Sequence, residues 1–452
     1  MAYLTKIEIR GCRNVKRAEI ELLSPAGSDA APVTHLILTG ANGSGKTGVL
    51  EQVASELNRA HNAELHPAER AGTQIGQLTK HVSTLQQQLA QIEGQLKGRG
   101  AVAPGPLPFM PGAMLEQRRV QTTKQLEVVR AQLTTAEAQV VDWRSTGRPV
   151  CLQWSAPAAE VRTELDSMRC ITAFRDAARR LKPARVAGPT TLNLSKATAT
   201  ANLADSFLQF LVNARAEQSF ANDDGDTATV SRLRDWFASL TDLLRQIYED
   251  PGLTFQFDRV EYNFRLTRGD GYSFDLTQLA DGHAAILAIL AELILRVDAA
   301  QRAAGDRSFQ PSGVVVVDEI EAHLHLRLQA KVMPFLVATF PSIQFIVATH
   351  SPAVISSIPN AVVYDLGTHS TIHSSELQGV RYGSVMVDRF GLTDDIDIDS
   401  ALKLSRLRKL IETDQRTAQE ESELKHLAAD LSARSPSMAL EVWRATQHGG
   451  PA

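Results

Sequence analysis

Gly40-Ala41-Asn42-Gly43-Ser44-Gly45-Lys46-Thr47, GANGSGKT at residues 40–47, is the stretch that decides the fold. The octet fits G-x-x-x-x-G-K-[ST] in full. It stands between an apolar strand, His35–Leu38, and a helix whose Val49, Leu50, Val53 and Leu57 share one face. Glycines at these positions let successive backbone N–H groups curl round a phosphate, and the helix start adds the positive end of its dipole. Lys46 is placed to reach β- and γ-phosphates, and the Thr47 hydroxyl to ligate Mg²⁺.

Two further strand ends carry the matching chemistry. The β-branched run Val314–Val317 ends in Asp318-Glu319. A buried strand ending so puts both carboxylates at the mouth of a parallel sheet, where open α/β sheets bind ligands. Asp318 is expected to hold Mg²⁺, and Glu319 to act as general base on an attacking water. The run IQFIVAT leads to His350, followed by Ser351-Pro352. A histidine at the end of a core strand, downstream of a phosphate loop and a carboxylate pair, reads as a γ-phosphate sensor. The catalytic candidates are therefore Lys46, Glu319 and His350, and the metal candidates Thr47 and Asp318.

Bulk properties narrow the rest. The chain has 452 residues, 47 basic against 51 acidic, so there is no overall cationic field and any nucleic-acid contact must be local. The best local candidate is the basic run Arg175, Arg179, Arg180, Lys182 and Arg185, for which a solvated helix face is the competing reading. Cys12, Cys151 and Cys170 fit no zinc spacing and suit a reducing cytoplasm. No secretory h-region opens the chain, and the apolar stretch Ala284–Val297 is too short to span a bilayer and contains Glu292. It reads as a buried helix. His323 and His325 lack a third ligand nearby and read as dimer-interface residues, not a metal pair. Asp394, Asp395, Asp397 and Asp399 read as a loop and helix cap, because residues 351–452 leave too little chain for a further nuclease domain.

A heptad register appears between the motifs. Ile75, Leu78, Val82, Leu85, Leu89, Ile92 and Leu96 repeat with polar residues between them; a Gly/Pro-rich break covers 98–113; then Leu126, Val129, Leu133, Ala136, Val140 and Trp143 resume the pattern. Two such arms predict an antiparallel helical hairpin, the first arm about 33 Å long at 1.5 Å per residue. The expected organisation is a head lobe at 1–70, the coiled-coil insertion at 71–146, the remaining head lobe at 147–365 and a helical C-terminal extension at 366–452.

GANGSGKT, VVVVDEIEAHLH and FIVATHSP, in that order, resemble the ABC-type ATPases that include the Rad50, RecF and SMC heads. They look closest to the branch typified by the overcoming-lysogenization-defect proteins and the ATPase subunits of Septu-like and retron-associated phage-defence pairs. That branch carries a signature resembling L-S-[SD]-G before an apolar helix. Here Leu279-Ala280-Asp281-Gly282-His283 takes that place, which adds Ala280, Asp281 and Gly282 to the nucleotide contacts. Ala280 departs from the signature serine, and Leu326 from a proline often seen after H-L-H. The resemblance implies an α/β ABC-type P-loop head that binds ATP and Mg²⁺ and sandwiches ATP between copies. It further implies a homodimer or higher homo-oligomer with a separate effector, an HNH-type nuclease being one form. A DNA-repair ATPase resembling RecF or Rad50, and an ATP-binding scaffold with little turnover, stay open as alternatives.

Overall fold

Why the alternating and β-branched runs form strands is visible in what they bury. The computed structural model describes residues 2–22, 33–61, 67–97, 112–141, 148–194, 197–380, 382–383, 385, 397–413 and 415–448. Strands β1 (Leu4–Cys12), β2 (Val15–Glu21) and β4 (Val150–Trp154) form an antiparallel sheet in the order β2-β1-β4. A second sheet has the order β12-β11-β3-β10-β9-β5. Its members are β3 (His35–Thr39), β5 (Cys170–Arg175), β9 (Ser312–Val317), β10 (Ile343–Ala348), β11 (Ala361–Asp365) and β12 (Ser370–His373). The run from β11 to β5 is parallel and β12 is antiparallel. A third sheet, β6 (Thr254–Asp258), β7 (Asn263–Thr267) and β8 (Ser273–Asp275), is an antiparallel meander turned by Arg268–Tyr272.

One core joins the first two sheets. Alternate residues of the parallel strands (Leu36 and Leu38, Val314 and Val316, Ile346 and Ala348) pack with Ile7, Ile9 and Ile20 and with Val49, Leu50, Val53 and Leu57 of helix α1 (Lys46–His61). Side chains of this kind stabilise by roughly 1.5–3 kcal/mol each when fully buried. Because α1 is held by this core, its first residue, Lys46, is fixed against the sheet edge.

Helices α2 (Pro67–Lys97) and α3 (Gly112–Val141) pack on each other through Leu78, Val82, Leu85 and Leu89 against Leu126 and Val129. Along α2 the heptad positions from Ile75 to Leu96 are buried or half-buried while the residues between them are exposed. The breaker expected through residue 113 gives way to helix at Gly112; residues 98–111 and Trp143 lie outside the described set, as do the side chains of Ala136 and Val140. After α4 (Ala158–Asp166) and β5 come α5 (Phe207–Asp223) and α6 (Thr227–Tyr248). Then α7 (Asp281–Ala304), α8 (Leu326–Thr339) and the short α9 (Pro352–Ile355) complete the body.

Two expectations are corrected here. The strand-bearing part does not stop at residue 365: β12 pairs with β11 (Val363↔Ile372), and the chain divides into compact units after Gln378. Ser370–His373 is a polar edge strand with a single strongly apolar residue, so it carries no alternation to read. The basic run 175–185 is also not a helix, because β5 ends at Arg175 and non-helical chain follows.

The unit from Gly379 onward consists of helices Ile398–Glu412, Ala418–Arg434 and Pro436–His448 around Leu404, Leu407, Leu431, Met438 and Val442. Asp397 caps the first of them, accepting from the Ser400 N–H at 3.0 Å, and Asp399 pairs with Arg434 at 2.6 Å. Asp394 and Asp395 lie outside the described residues. Among the described residues no helix is long and apolar enough to cross a membrane.

Candidate functional site

The expected site residues leave the C-terminal ends of three neighbouring parallel strands: the phosphate loop after β3, His350 after β10, and Asp318-Glu319 after β9. Neighbouring strands in a sheet lie about 4.8 Å apart, so these groups share one rim. Gly40, Gly43 and Gly45 have φ of 138°, 81° and 101°, the left-handed region open to glycine. Space adds a second constraint, since a Cβ on Gly40 would stand 2.9 Å from Ser44 Oγ. Both constraints fit a loop whose backbone N–H groups would line a phosphate.

Lys46 is buried, and its Nζ donates to the carbonyls of Gly40 (2.9 Å) and Ala41 (3.2 Å). Burial lowers its pKa, opposed by the carboxylates of Asp318, Glu319, Glu321 and Asp365. Asp318 is 2% exposed, and burial raises its pKa against a hydrogen bond from the Thr47 hydroxyl. Its Oδ1 is buried with no hydrogen-bond partner among the described residues. A hydroxyl and an unsatisfied carboxylate oxygen side by side fit a hard cation such as Mg²⁺. Thr47 and Asp318 would hold it, and the glycine-lined loop with Lys46 would hold the phosphates.

Glu319 is exposed and takes φ +43°, a left-handed conformation for which a non-glycine residue pays about 1–3 kcal/mol. The surrounding turn is fixed from several sides. Ile320 N–H donates to Ala348 O (3.1 Å) and Ala322 N–H to Glu319 O (2.7 Å). Glu321 accepts from the His350 N–H, tying this turn to the end of β10. Burial, then Lys46, lowers the His350 pKa, so the imidazole is neutral near pH 7.

The signature-like residues sit at the start of α7. Ala280 is the exposed N-cap in extended conformation with no side-chain cap, and Asp281 pairs with Arg180 at 3.5 Å. Gly282 lies against the turn that follows β9, for a Cβ there would lie 2.5 Å from the His323 carbonyl oxygen. The His323 carbonyl beside Gly282 belongs to a residue at φ +65°, and the exposed His325 caps α8.

Two of the five cations of the basic run are used internally. Arg175 Nη1 donates to Glu292 (3.2 Å) and Asn202 (2.9 Å), while the buried Arg179 donates to main-chain carbonyls. Arg180, Lys182 and Arg185 are exposed, and Arg185 lies 3.8 Å from Glu261. The expectation of a free cationic face therefore fails for Arg175 and Arg179, whose charge is spent inside the fold.

Glu292, fully buried on α7, also accepts from Arg296 (2.7 Å) and from the N–H groups of Leu203 and Ala204 (2.8 and 3.1 Å). Hydrogen bonds to charged groups contribute about 1.5–3 kcal/mol. Glu292→Gln is therefore expected to lower the unfolding free energy by about that amount, measured as a reduced urea midpoint at unchanged slope. An unchanged midpoint would show that the buried charge is dispensable.

Sequence reasoning missed several contributors. Asn14 donates to the Gly43 carbonyl at 2.5 Å, and Arg13 crosses α1 to pair with Glu51, so closely that a Cβ on Gly48 would be 2.4 Å from its Cδ. The signal available was the stretch Gly11 to Asn14, in which Arg13-Asn14 turns β1 into β2 with Arg13 at φ +48°. Arg179, Glu321 and Asp365 had no such signal.

Residues 152–356 match the family described as "AAA domain, putative AbiEii toxin, Type IV TA system", a span that includes Asp318, Glu319 and His350 and begins after the phosphate loop. The chain is 37% identical over 95 residues to "Retron Ec83 probable ATPase" of Escherichia coli, 20% of this chain and 17% of that one. It is 36% identical over 77 residues to "Septu protein PtuA" of Bacillus mycoides (strain KBAB4), 17% of this chain and 10% of that protein. It is 30% identical over 89 residues to "Retron Vc95 probable ATPase" of Vibrio cholerae serotype O1 biovar El Tor, 20% of this chain and 17% of that one. The aligned segments thus span only 10–17% of these relatives' own length. Among solved structures, an Smc head bound to the C-winged helix domain of ScpA aligns with 83% of the chain at 11% identity and a TM-score of 0.38. Over residues 152–356 the chain is thus similar to that AAA-domain family, and over shorter segments to two retron probable ATPases and a Septu protein.

Proposed function

We propose that this protein is an ATP-hydrolysing switch, the ATPase component of an anti-phage defence system, acting as a head-to-head homodimer or larger homo-oligomer on a separate effector. The observation that carries hydrolysis is the placement of Lys46, the Thr47–Asp318 pair, Glu319 and His350 on one rim of adjacent parallel strands. The defence setting rests on the relatives named for retron and Septu systems. Cleavage of nucleic acid is assigned to the effector, for which an HNH-type nuclease is one form. The cytoplasmic setting agrees with three buried cysteines, none of them in a disulfide.

Each side chain has a distinct task. The loop N–H groups and the Lys46 ammonium bind the β- and γ-phosphates. Thr47 and Asp318 would hold Mg²⁺, which would supply positive charge to offset the negative charge developing on the phosphates. Glu319, exposed at the rim, accepts the proton of the attacking water. The neutral His350 ring can donate one hydrogen bond toward the γ-phosphate. In a dimer the exposed start of α7, Ala280 to Gly282, would close on the nucleotide of the facing copy with main-chain N–H groups.

Ala280 makes that closure weak, and it is also the observation that favours the second reading, a scaffold with little turnover. A serine there could cap α7 and present a hydroxyl to the facing phosphate. Ala280→Ser is expected to strengthen ATP-dependent dimerisation about tenfold, close to 1.4 kcal/mol, and to raise basal phosphate release with it. Light scattering and a phosphate-release assay on the purified wild type and variant test this. Wild type that neither turns over nor changes mass with MgATP would contradict the switch, and an unchanged variant would make Ala280 neutral.

A further inference from the structure

We infer that Arg179 is a positioning residue for hydrolysis, whose guanidinium holds the Asp318–Ile320 turn so that Glu319 faces the nucleotide rim. The inference rests on the reading of Glu319 as the general base.

The geometry is unusual for a residue in a basic run. Arg179 is 2% exposed, and its two Nη groups donate only to main-chain oxygens, while its Nε is buried with no partner among the described residues. Nη1 donates to Asp318 O (2.7 Å) and Asp176 O (3.1 Å), and Nη2 to Glu319 O (3.0 Å) and Ile320 O (2.9 Å). Three consecutive carbonyls of one tight turn are therefore gathered onto a single planar group. Residues 318 and 320 flank Glu319, which sits in the left-handed region at φ +43°. A strained conformer of this kind persists only when its surroundings over-determine it. The turn's N–H groups are held by Ile320 N–H on Ala348 O, Ala322 N–H on Glu319 O and Asp318 N–H on Arg175 O, while the Arg179 fork is the group that gathers its three carbonyls.

The choice of arginine matters. A guanidinium presents donors in a rigid plane, whereas an ammonium is a point charge on a flexible stem and cannot fix spaced carbonyls in one geometry. Arg179 also reaches the turn from the segment after β5, and its neighbour Arg180 pairs with Asp281 at the start of α7. The same short segment thus touches the base-bearing turn and the signature helix.

The test compares phosphate release by wild type, Glu319→Gln, Arg179→Lys, Arg179→Met and the double variant Arg179→Lys/Glu319→Gln, with ATP affinity and thermal melting measured for each. A displacement of about 1 Å at a reacting group can cost on the order of 100-fold. Arg179→Lys is expected to lower kcat roughly 10- to 100-fold with KM for ATP and the melting temperature little changed. The double variant is expected to be no slower than Glu319→Gln, because nothing remains to be positioned. Arg179→Met should be slower than Arg179→Lys; if it fails to fold, the lysine variant and the double variant carry the test. A kcat within twofold of wild type for Arg179→Lys overturns the proposal. So does a loss that falls equally on KM and kcat, or one that adds in full to the Glu319→Gln defect. If Glu319→Gln itself hydrolyses at the wild-type rate, the assignment of the base fails, and with it this role for Arg179.

Discussion

Lys46→Ala abolishes ATP binding. The ammonium it removes is buried and lies in the field of Asp318, Glu319, Glu321 and Asp365, as the opposing effects on its pKa show. Without it, the loop would present triphosphate oxygens to a rim with a net excess of carboxylates. Repulsion between like charges at such depth is poorly screened by salt. The backbone cradle survives the change, because its shape comes from the glycines and from the α1 core, so the fold should melt normally. The expected calorimetric result is no binding heat at MgATP concentrations that saturate the wild type. Wild-type affinity in a folded Lys46→Ala protein would contradict the site assignment.

Glu319→Gln separates binding from turnover. The amide matches the carboxylate in size and leaves the restrained turn intact, but it cannot take a proton from water. General-base catalysis contributes about 10²–10⁴-fold, and phosphate release should fall by that factor while ATP affinity is kept. The trapped nucleotide is then expected to hold copies together, visible as a persistent rise in mass by light scattering after ATP is added. Hydrolysis at the wild-type rate would show that Glu319 is not the base.

The parts of this site that could be read in the sequence are those built on strand ends. Val314–Val317 and Ile343–Ala348 are buried and rich in β-branched residues, so their termini are visible, and the chemistry sits one or two residues beyond each. The hairpin was legible for the same reason, since a seven-residue repeat survives as a pattern of burial. What escaped was the group of residues that serve main-chain atoms. The carbonyls held by Arg179 belong to a turn whose shape depends on contacts with Ala348, far away in the chain. In a one-dimensional reading, an arginine that satisfies carbonyls looks the same as one that faces solvent. Asn14 and Arg13 escaped likewise, because their partners are a loop carbonyl and a glycine surface.

The paired arms α2 and α3 have a geometric consequence of their own. Their contact repeats with the heptad, so adding or removing seven residues in each arm changes the length of the hairpin by about 10 Å while returning every apolar side chain to the same seam. The insertion can therefore behave as a ruler with discrete marks, its span resettable by whole layers without altering the angular phase in which either arm leaves or rejoins the ATPase body.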